Sequence, residues 1–410
     1  MTPVRVGVFG LLGSGNVGND GSLEAVLGYL RTQHPEAVVD AMCGGPRTVT
    51  RRFGIPARRL HWYRDEYRTA SRAGALLGKA FGKLADAVRT AAWVRRHDVV
   101  IVPGMGVLEA TLPLRPWGFP YSLFLLCASG KLLRTRVALV GVGADTIAGR
   151  PTRALVRWSA RLAAYRSYRD EHSRAVIAAM GVDTTRDPVH PDLAFALPAP
   201  TGSTGARGQV CVGVMDFHGN NDERARGEAI RRRYLEEATR FVRALADEGR
   251  RVRLLTGDTC DTPVAEAVIR AVDSPLVSAA EVTSLADLMA ETAAADTVVA
   301  TRYHNLICAL RTGTPTLAIG YAAKSEILME GMGLGAYTHP AREIDADRLI
   351  EQFRMLEKQS EQVRELLSER NRDIDRQLSG QFDRLTADLF PTGLLTAGLF
   401  PAPSPSHREP

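Results

Sequence analysis

An arginine and a histidine stand two residues apart just after an apolar run. Arg302 and His304 follow residues 296–300, DTVVA, which predict a β-strand. An extended backbone would point both side chains the same way at the carboxyl edge of a sheet, where α/β folds bind ligands. A guanidinium holds anions by two-point contact, and an imidazole titrates near neutral pH. The pair could bind an anion and move a proton, and the alternative for His304 is a hydrogen-bonded structural histidine.

Other candidate reactive groups are few. His218 stands two residues after Asp216 and could be catalytic, although the loop FHGNN that contains it is as readily a turn. The nine histidines are scattered without metal-ligand spacing, and no G-x-S-x-G elbow occurs. We therefore expect no metal and no cofactor.

A glycine-rich loop follows the first apolar run. Residues 13–18, GSGNVG, fit the G-x-G-x-x-G pattern, and Asp40 lies at the distance of a ribose-binding carboxylate. In a dinucleotide site the helix begins among the glycines. Good helix formers start here only at Leu23, so we predict a helix start within residues 20–22. The loop then favours approach of a ligand to backbone N–H groups over a nucleotide cofactor, with a purely structural turn as the alternative.

Apolar runs alternate with helical patterns along most of the chain, which predicts parallel sheets joined by crossover helices. Eight apolar runs predict strands at residues 4–9, 37–42, 98–103, 136–142, 210–217, 251–256, 296–300 and 316–321. A further strand is predicted at residues 164–168, AYRSY, after a helical pattern. We predict an α/β fold: two Rossmann-like doubly wound domains that face a cleft in a GT-B-like arrangement, with a C-terminal helical segment.

The domain boundaries follow from these patterns. We place the N-terminal domain at residues 1–197, a Pro/Gly/Thr-rich linker at 198–208 and the C-terminal domain at 209–340. Apolar residues at three- and four-residue steps predict helices within 341–390, and 391–410 is predicted to be disordered. These helices would pack across one or both domains, with a homodimer seam as the alternative.

The composition is that of an ordinary globular protein, with 410 residues, 45% of them hydrophobic, and a formal net charge of +6. The basic excess favours anionic ligands or an anionic membrane surface. Five widely spaced cysteines without a C-x-x-C pair predict buried, reduced thiols. No signal-peptide layout is present, and no apolar stretch approaches the about 20 residues of a membrane span, so we expect a cytoplasmic chain.

Residues 47–96 are strongly basic. Within them, residues 73–93 have the pattern of an amphipathic basic helix. One interpretation is peripheral docking on an anionic membrane to reach a lipid-linked sugar. The other is a crossover helix with a solvated basic face. Aromatic residues are too sparse to predict nucleic-acid binding.

Several short motifs occur in a fixed order. They are GNVG at 15–18, RDEHS at 169–173, MGV at 180–182, PDLAFAL at 191–197, TRYHNLICA at 301–309, GTP at 313–315, IGY at 319–321 and Lys324. In this order they resemble the polysaccharide pyruvyl transferase family, whose Arg-x-His-x-x-Ile box, Gly-x-Pro and Tyr-x-x-Lys stretch are matched between residues 302 and 324. The resemblance spans roughly residues 6–335.

Two positions depart from the family pattern. The acid expected directly after Gly-Asn-x-Gly comes one residue later, at Asp20, and the glycine triplet after the DVVIVP run has Met105 at its centre. Both lie in the N-terminal half, which the layout makes the acceptor side, with the donor on the C-terminal side. By the resemblance, the substrate-binding candidates include Asn16, Asp20, Gly104, Gly106 and Tyr321.

The resemblance implies transfer of an enolpyruvyl unit from phosphoenolpyruvate to two hydroxyls of a saccharide or lipid-linked saccharide, giving a pyruvate ketal and phosphate. This chemistry requires cations for a carboxylate and a phosphate, and a group that moves protons. His304 is then the candidate general acid/base and Arg302 a clamp on the donor. Arg169 and Lys324 are further candidate clamps, and Asp192 could orient a cation or a sugar hydroxyl.

Each of these assignments has an alternative. Arg169 could form only a cap with Asp170, Lys324 could be solvated, and Asp192 could simply end its strand. For the whole chain, one other function is a glycosyltransferase of the two-Rossmann-domain type, in which Arg302 and Lys324 hold the diphosphate of a nucleotide sugar. Another is a non-catalytic binding protein that keeps the fold.

Overall fold

The computed structural model describes residues 3–62, 72–109, 116–200, 208–219 and 221–390, with the backbone alone at 72–80, 221, 222 and 224. Most of the predicted linker, residues 201–207, and the predicted tail at 391–410 lie outside these ranges.

The N-terminal half forms a parallel six-stranded sheet in the order β3-β2-β1-β4-β5-β6. Its strands are β1 (Arg5–Gly10), β2 (Val38–Cys43), β3 (Ala57–Arg59), β4 (Val99–Pro103), β5 (Arg136–Val142) and β6 (Tyr165–Tyr168). Its helices are α1 (Val17–Gln33), α2 (Pro46–Phe53), α3 (Arg72–Val94), α4 (Phe119–Leu133), α5 (Arg150–Leu162) and α6 (Glu171–Ala179). The central strands are apolar and buried along almost their whole length, because helices cover both faces.

The second half repeats this plan in a parallel sheet of order β12-β11-β10-β7-β8-β9. Its strands are β7 (Gln209–Gly213), β8 (Arg251–Leu255), β9 (Val277–Ala279), β10 (Thr297–Ala300), β11 (Thr316–Gly320) and β12 (Thr338–Pro340). Its helices are α7 (Gly227–Asp247), α8 (Thr262–Val272), α9 (Leu285–Ala293), α10 (Tyr303–Arg311) and α11 (Ala323–Gly331). The predicted pair of doubly wound domains is confirmed.

All nine predicted strands are present, the eight apolar runs and the strand at residues 164–168, which is β6, and three further strands were missed. These are β3, β9 and β12, each of three residues and none an apolar run. Two of them, β9 and β12, are the edges of the second sheet, and β3 is an edge of the first. An edge strand is paired on one side only, so its sequence need not carry the apolar signal of a buried strand.

Two helices, α12 (Ala346–Lys358) and α13 (Ser360–Leu389), end the described chain, and α13 contacts both domains. On the first domain, the ring of Phe382 stacks on Tyr29 with centroids 4.9 Å apart. On the second domain, the guanidinium of Arg311 pairs with Asp375 at 2.8 Å. The apolar period of this segment is therefore satisfied within the chain, as the packing prediction expected.

The start of α1 corrects a prediction. The helix begins at Val17, not within residues 20–22, because the side chain of Asn16 accepts the backbone N–H groups of Gly18 and Asn19 as its N-cap. The residues after Gly18 have low helix propensity, but packing against the second domain outweighs it. Gly18 is part of this contact, because a Cβ there would overlap the side chain of His304. The prediction that α1 starts too late for a dinucleotide loop is therefore wrong, and the imidazole of His304 fills the space beside Gly18.

Four of the five cysteines are buried, but Cys260 is exposed, which corrects the prediction for that residue. It lies in a short turn at the carboxyl end of β8 rather than in a strand or a packed helix. Across the described ranges, no helix is both long and apolar enough to cross a membrane.

The packing of α13 predicts a large effect of truncating one of its buried leucines. Leu385 is fully buried on α13, so Leu385→Ala removes apolar contacts and leaves a cavity. We expect the free energy of unfolding to fall by about 2–4 kcal/mol, measured by urea denaturation. Leu132→Ala, at a side chain that is 82% exposed, should change it by less than about 0.5 kcal/mol. Equal stability of the two variants would show that α13 does not hold the domains.

Candidate active site

Each sheet has one point where its strand order reverses, and α/β folds bind ligands at such points. The reversal lies between β1 and β4 in the first sheet and between β7 and β10 in the second. The segments that leave these strands meet, since His304 at the start of α10 packs against Gly18 at the start of α1. The two edges at which the strand order reverses therefore face each other across one interface.

His304 is mostly buried at this interface. Its Nε2 atom is inaccessible to solvent and has no hydrogen-bond partner among the described residues. Burial lowers the pKa of His304 to about 4, and the positive charges of Arg169 and Lys324 act in the same direction. The carboxylates of Asp192 and Glu109 oppose this shift without cancelling it. The imidazole is therefore neutral at pH 7 and is able to accept a proton.

Glu109 joins a cation from each domain. Its carboxylate accepts a hydrogen bond from the guanidinium of Arg169, which follows β6, and one from Nζ of Lys324 on α11 at 3.1 Å. All three side chains are largely buried. Burial alone would raise the pKa of Glu109, but the two cations outweigh it and lower the pKa to about 2. The carboxylate is therefore ionised, and both cations are paired.

The ring of Tyr303 lies beside both cations. Its centroid is 4.6 Å from Cζ of Arg169 and 5.6 Å from Nζ of Lys324. The ring of Tyr321 is 5.4 Å from the same Nζ atom. These distances are those of cation–π contacts, which hold the cations in place without neutralising them. The structure thus brings Tyr321 next to Lys324, and the role of Tyr321 in substrate binding stays a prediction.

Two glycines make room for the ion pairs. A Cβ on Gly106 would lie 2.5 Å from Cδ of Glu109, and one on Gly143 would lie 2.5 Å from Cζ of Arg169. Both distances are too short for any side chain. Gly106 was a predicted site residue, whereas Gly143, Tyr303 and Glu109 were missed. The only sequence signal for Glu109 is its place in the loop after β4, at the reversal point of the first sheet.

Two further carboxylates approach Arg169 without forming short hydrogen bonds to it. Oδ2 of Asp170 and Oδ2 of Asp192 each lie 3.6 Å from a guanidinium nitrogen. The other oxygen of each is committed to the backbone, where Asp170 caps α6 through Ser173 and Asp192 accepts the N–H of Ala194. Arg169 therefore lies beside Asp170, as the alternative interpretation of Arg169 has it, and also contacts Glu109 and Asp192.

Arg302 does not point the same way as His304, which corrects the prediction from the extended spacing. β10 ends at Ala300 and α10 begins at Tyr303, so the chain is already turning into a helix between the two residues. The guanidinium of Arg302 instead binds the buried Asp261, with Nε 2.9 Å from Oδ2. Arg302 is therefore paired with Asp261 and makes no ion pair or hydrogen bond with the described residues of the Arg169–Glu109–Lys324 cluster.

The remaining candidate site residues of the first domain, Asn16, Asp20 and Gly104, make contacts that hold the loops in which they lie. Asn16 caps α1, and its Nδ2 lies 3.3 Å from Oδ2 of Asp258 in the second domain. Asp20 accepts the N–H of Gly13 at 2.6 Å, and its other carboxylate oxygen lies 3.6 Å from the guanidinium of Arg52. Gly104 has a positive φ of 52°, and a Cβ there would lie 2.6 Å from the hydroxyl of Ser22. These contacts account for the residue types at the three positions, and the roles of these residues in substrate binding stay predictions.

A cavity of about 260 Å³ opens onto the cluster. Arg169, Tyr303 and Lys324 line it, and α13 contributes Arg370 and Gln377 to its wall. It thus lies where the two domains and the C-terminal helix meet. In the part of the chain that the structure describes, no group of three or more His, Cys, Asp or Glu side chains is arranged to hold a metal ion.

Solved structures of low sequence identity share this architecture over almost the whole chain. S. aureus MnaA with UDP superposes with a TM-score of 0.62 at 11% identity, over 97% of this chain and 99% of that one. The UDP-GlcNAc 2-epimerase from Neisseria meningitidis bound to UDP-GlcNAc gives 0.58 at 11% identity, over 93% and 99%. Acinetobacter baumannii MurG gives 0.53 at 14% identity, over 94% and 99%. The chain therefore has the GT-B fold of these sugar-processing enzymes.

The sequence also matches one protein family, which is a narrower assignment than the fold. The model of the family described as polysaccharide pyruvyl transferase matches residues 16–322, which is most of the chain. No curated protein matches the sequence. The chain belongs to the polysaccharide pyruvyl transferase family and is a transferase of that family. Lys324 and the cavity residues of α13 lie beyond the matched region.

The buried imidazole predicts a distinct pH dependence of stability. The pKa of His304 is lower in the folded chain, so the unfolded chain takes up its proton first, and stability is lost as pH falls from about 6.5 to 4. The wild type should lose about 3 kcal/mol of unfolding free energy in this window that His304→Gln does not lose. Urea denaturation at several pH values measures this, with the half-exposed His172→Gln as control. Identical profiles for wild type and His304→Gln would show that the imidazole is not buried in neutral form.

Proposed function

We propose that the chain transfers the enolpyruvyl unit of phosphoenolpyruvate to two hydroxyls of a saccharide, forming a pyruvate ketal and releasing phosphate. The observation that carries this proposal is the convergence of Arg169, Lys324 and a neutral His304 where the two domains meet. Membership of the family supports the reaction type. The geometry supports a donor with two anionic groups, because one cation comes from each domain.

The cations suit the two ends of such a donor. Arg169 presents a planar guanidinium that matches a carboxylate or phosphate in two-point contact, and Lys324 presents a compact charge. Both line the 260 Å³ cavity, so a small molecule that enters it meets both of them. The carboxylate and phosphate of phosphoenolpyruvate are separated by a single carbon, which fits two cations that share one glutamate.

The proposed reaction balances with two hydroxyl protons. The first hydroxyl oxygen bonds to C2 of the donor while C3 gains a proton. The bond between C2 and the phosphate oxygen then breaks, with its electron pair leaving on phosphate, and the second hydroxyl oxygen bonds to C2. One hydroxyl proton ends on the new methyl group and the other on phosphate. We assign the first proton transfer to His304, because a neutral imidazole is able to take a proton from a hydroxyl before giving it up.

This assignment predicts which substitutions abolish turnover. His304→Gln, Arg169→Met and Lys324→Met should each lower phosphate release from phosphoenolpyruvate and a saccharide acceptor by at least about 100-fold. Arg250→Met removes a cation paired with Glu357 far from the cleft and serves as the matched control. No phosphate release with any acceptor, together with thermal stabilisation by a nucleotide sugar but not by phosphoenolpyruvate, would favour a glycosyltransferase instead.

We also propose that the acceptor is lipid-linked and that the chain meets it at a membrane surface. Phe81, Leu84 and Val88 lie on one face of α3 and are 61–64% exposed. The exposed ring of Trp62 contacts Phe81 with centroids 5.6 Å apart. A contiguous exposed apolar patch of this kind marks an interaction site.

The charge around this patch favours an anionic lipid surface as its partner. The nearby described segments 45–62 and 81–96 contain many basic side chains and a single acid, Asp86. Arg58, Arg59, Arg95 and Arg96 are exposed. Apolar side chains that enter the headgroup layer and arginines that meet anionic headgroups act together in peripheral binding.

Vesicle binding tests this surface. The triple variant Phe81→Ser, Leu84→Ser, Val88→Ser should reduce co-sedimentation with phosphatidylglycerol vesicles by at least about tenfold, because it removes the inserted apolar area. Leu132→Ser, at an exposed leucine on α4, is the control and should bind as the wild type does. Equal vesicle binding by the triple variant, or loss of a dimer in its place, would contradict the membrane proposal.

A further inference from the structure

The charges already present around Arg169 and Lys324 leave no excess positive charge for a donor. Three carboxylates, Glu109, Asp170 and Asp192, lie within 3.6 Å of these two cations. With His304 neutral, the cluster carries more negative than positive charge. A ligand with a phosphate and a carboxylate is repelled by this arrangement unless one carboxylate gives way.

Glu109 is the carboxylate whose contacts allow displacement. Asp170 and Asp192 are each tied to backbone N–H groups and complete the caps of their segments. The side-chain hydrogen bonds of Glu109 within the described residues go to Arg169 and Lys324 alone. Its side chain is also one methylene longer than that of an aspartate. Releasing it therefore breaks no cap and costs only bonds that another anion is able to replace.

Glu109 also occupies the position an incoming anion needs. It is the one side chain, among those described, whose carboxylate bonds to both cations, and so it bridges the two domains. Gly106 and Gly143 leave just enough room for this group beside the guanidinium. The space around Arg169 and Lys324 is thus shaped for a planar three-atom anion, which is also the shape of a donor carboxylate and of one face of a phosphate.

We propose that Glu109 is a resident counter-anion: it holds the place of the donor's carboxylate or phosphate on Arg169 and Lys324, and donor binding displaces it. The inference rests on the proposed function for the identity of the donor, but not for the displacement itself. In this role Glu109 keeps two buried cations charged and in position, since burial of a cation without a partner is strongly unfavourable. It also weakens donor binding, because the donor must compete with it.

Phosphate binding tests the displacement without turnover. Isothermal titration of inorganic phosphate should show at least about tenfold tighter binding to Glu109→Gln than to the wild type, because the competing charge is gone while the size is kept. Glu291→Gln, which removes a carboxylate paired with Arg253 away from the cluster, is the matched control and should not change the affinity. Equal or weaker phosphate binding by Glu109→Gln overturns the proposal and makes Glu109 a permanent positioning residue.

The thermal midpoint in added phosphate and the consumption of phosphoenolpyruvate are two further measurements on Glu109→Gln. Glu109→Gln leaves two like charges close together, so it should be less stable than the wild type and should gain more in thermal midpoint from added phosphate. A variant that stays unfolded in saturating phosphate counts against the proposal, since the anion should restore the pairing. Tighter phosphate binding by Glu109→Gln without any consumption of phosphoenolpyruvate would retain the counter-anion and reject the proposed donor.

Discussion

One buried carboxylate held between cations of two domains is the interaction on which the other features depend. Glu109 binds Arg169 from its own domain and Lys324 from the second, and none of the three is well solvated. Each of the three charges would be costly to bury without a partner, so loss of one destabilises the buried position of the other two. The backbone responds to this requirement, because Gly106 and Gly143 lack side chains where any Cβ would collide with the ions. The domains must also stay close, and α13 contacts both of them.

The two departures from the family pattern fall outside this ion cluster. Asp20 binds the N–H of Gly13 and faces Arg52 at 3.6 Å, so the displaced acid serves the loop after β1. Met105 adopts a positive φ of 63°, a conformation that costs a non-glycine residue about 1 kcal/mol or more. Its side chain is buried against Gly10, and that apolar burial offsets the strain. Neither departure replaces one of the charged residues of the Arg169–Glu109–Lys324 cluster or His304.

Much of the fold follows from the sequence because parallel strands buried on both faces are continuous apolar runs. The same runs locate the carboxyl edges, and with them His304 and Lys324, whereas Arg169 follows the polar strand YRSY. Sequence patterns do not predict local structure that depends on contacts between residues far apart in the chain. Helix α1 starts early because Asn16 caps it and His304 needs the space beside Gly18. The role of Glu109 in the cluster could not be predicted, because its partners are 60 and 215 residues away and no local spacing encodes such a pairing.

The orientation of Arg302 separates two kinds of site at the same strand end. One residue faces Asp261 at the cleft, and the residue two positions later faces the cations of both domains, because a helix begins between them. The start of α10 thus carries two chemically different groups. Arg302 is paired with the buried Asp261. The neutral imidazole of His304 lies within the field of Arg169 and Lys324. Any bound anion there would raise the pKa of His304 toward its ordinary value, so the charge of the ligand itself would set the protonation state of the ring.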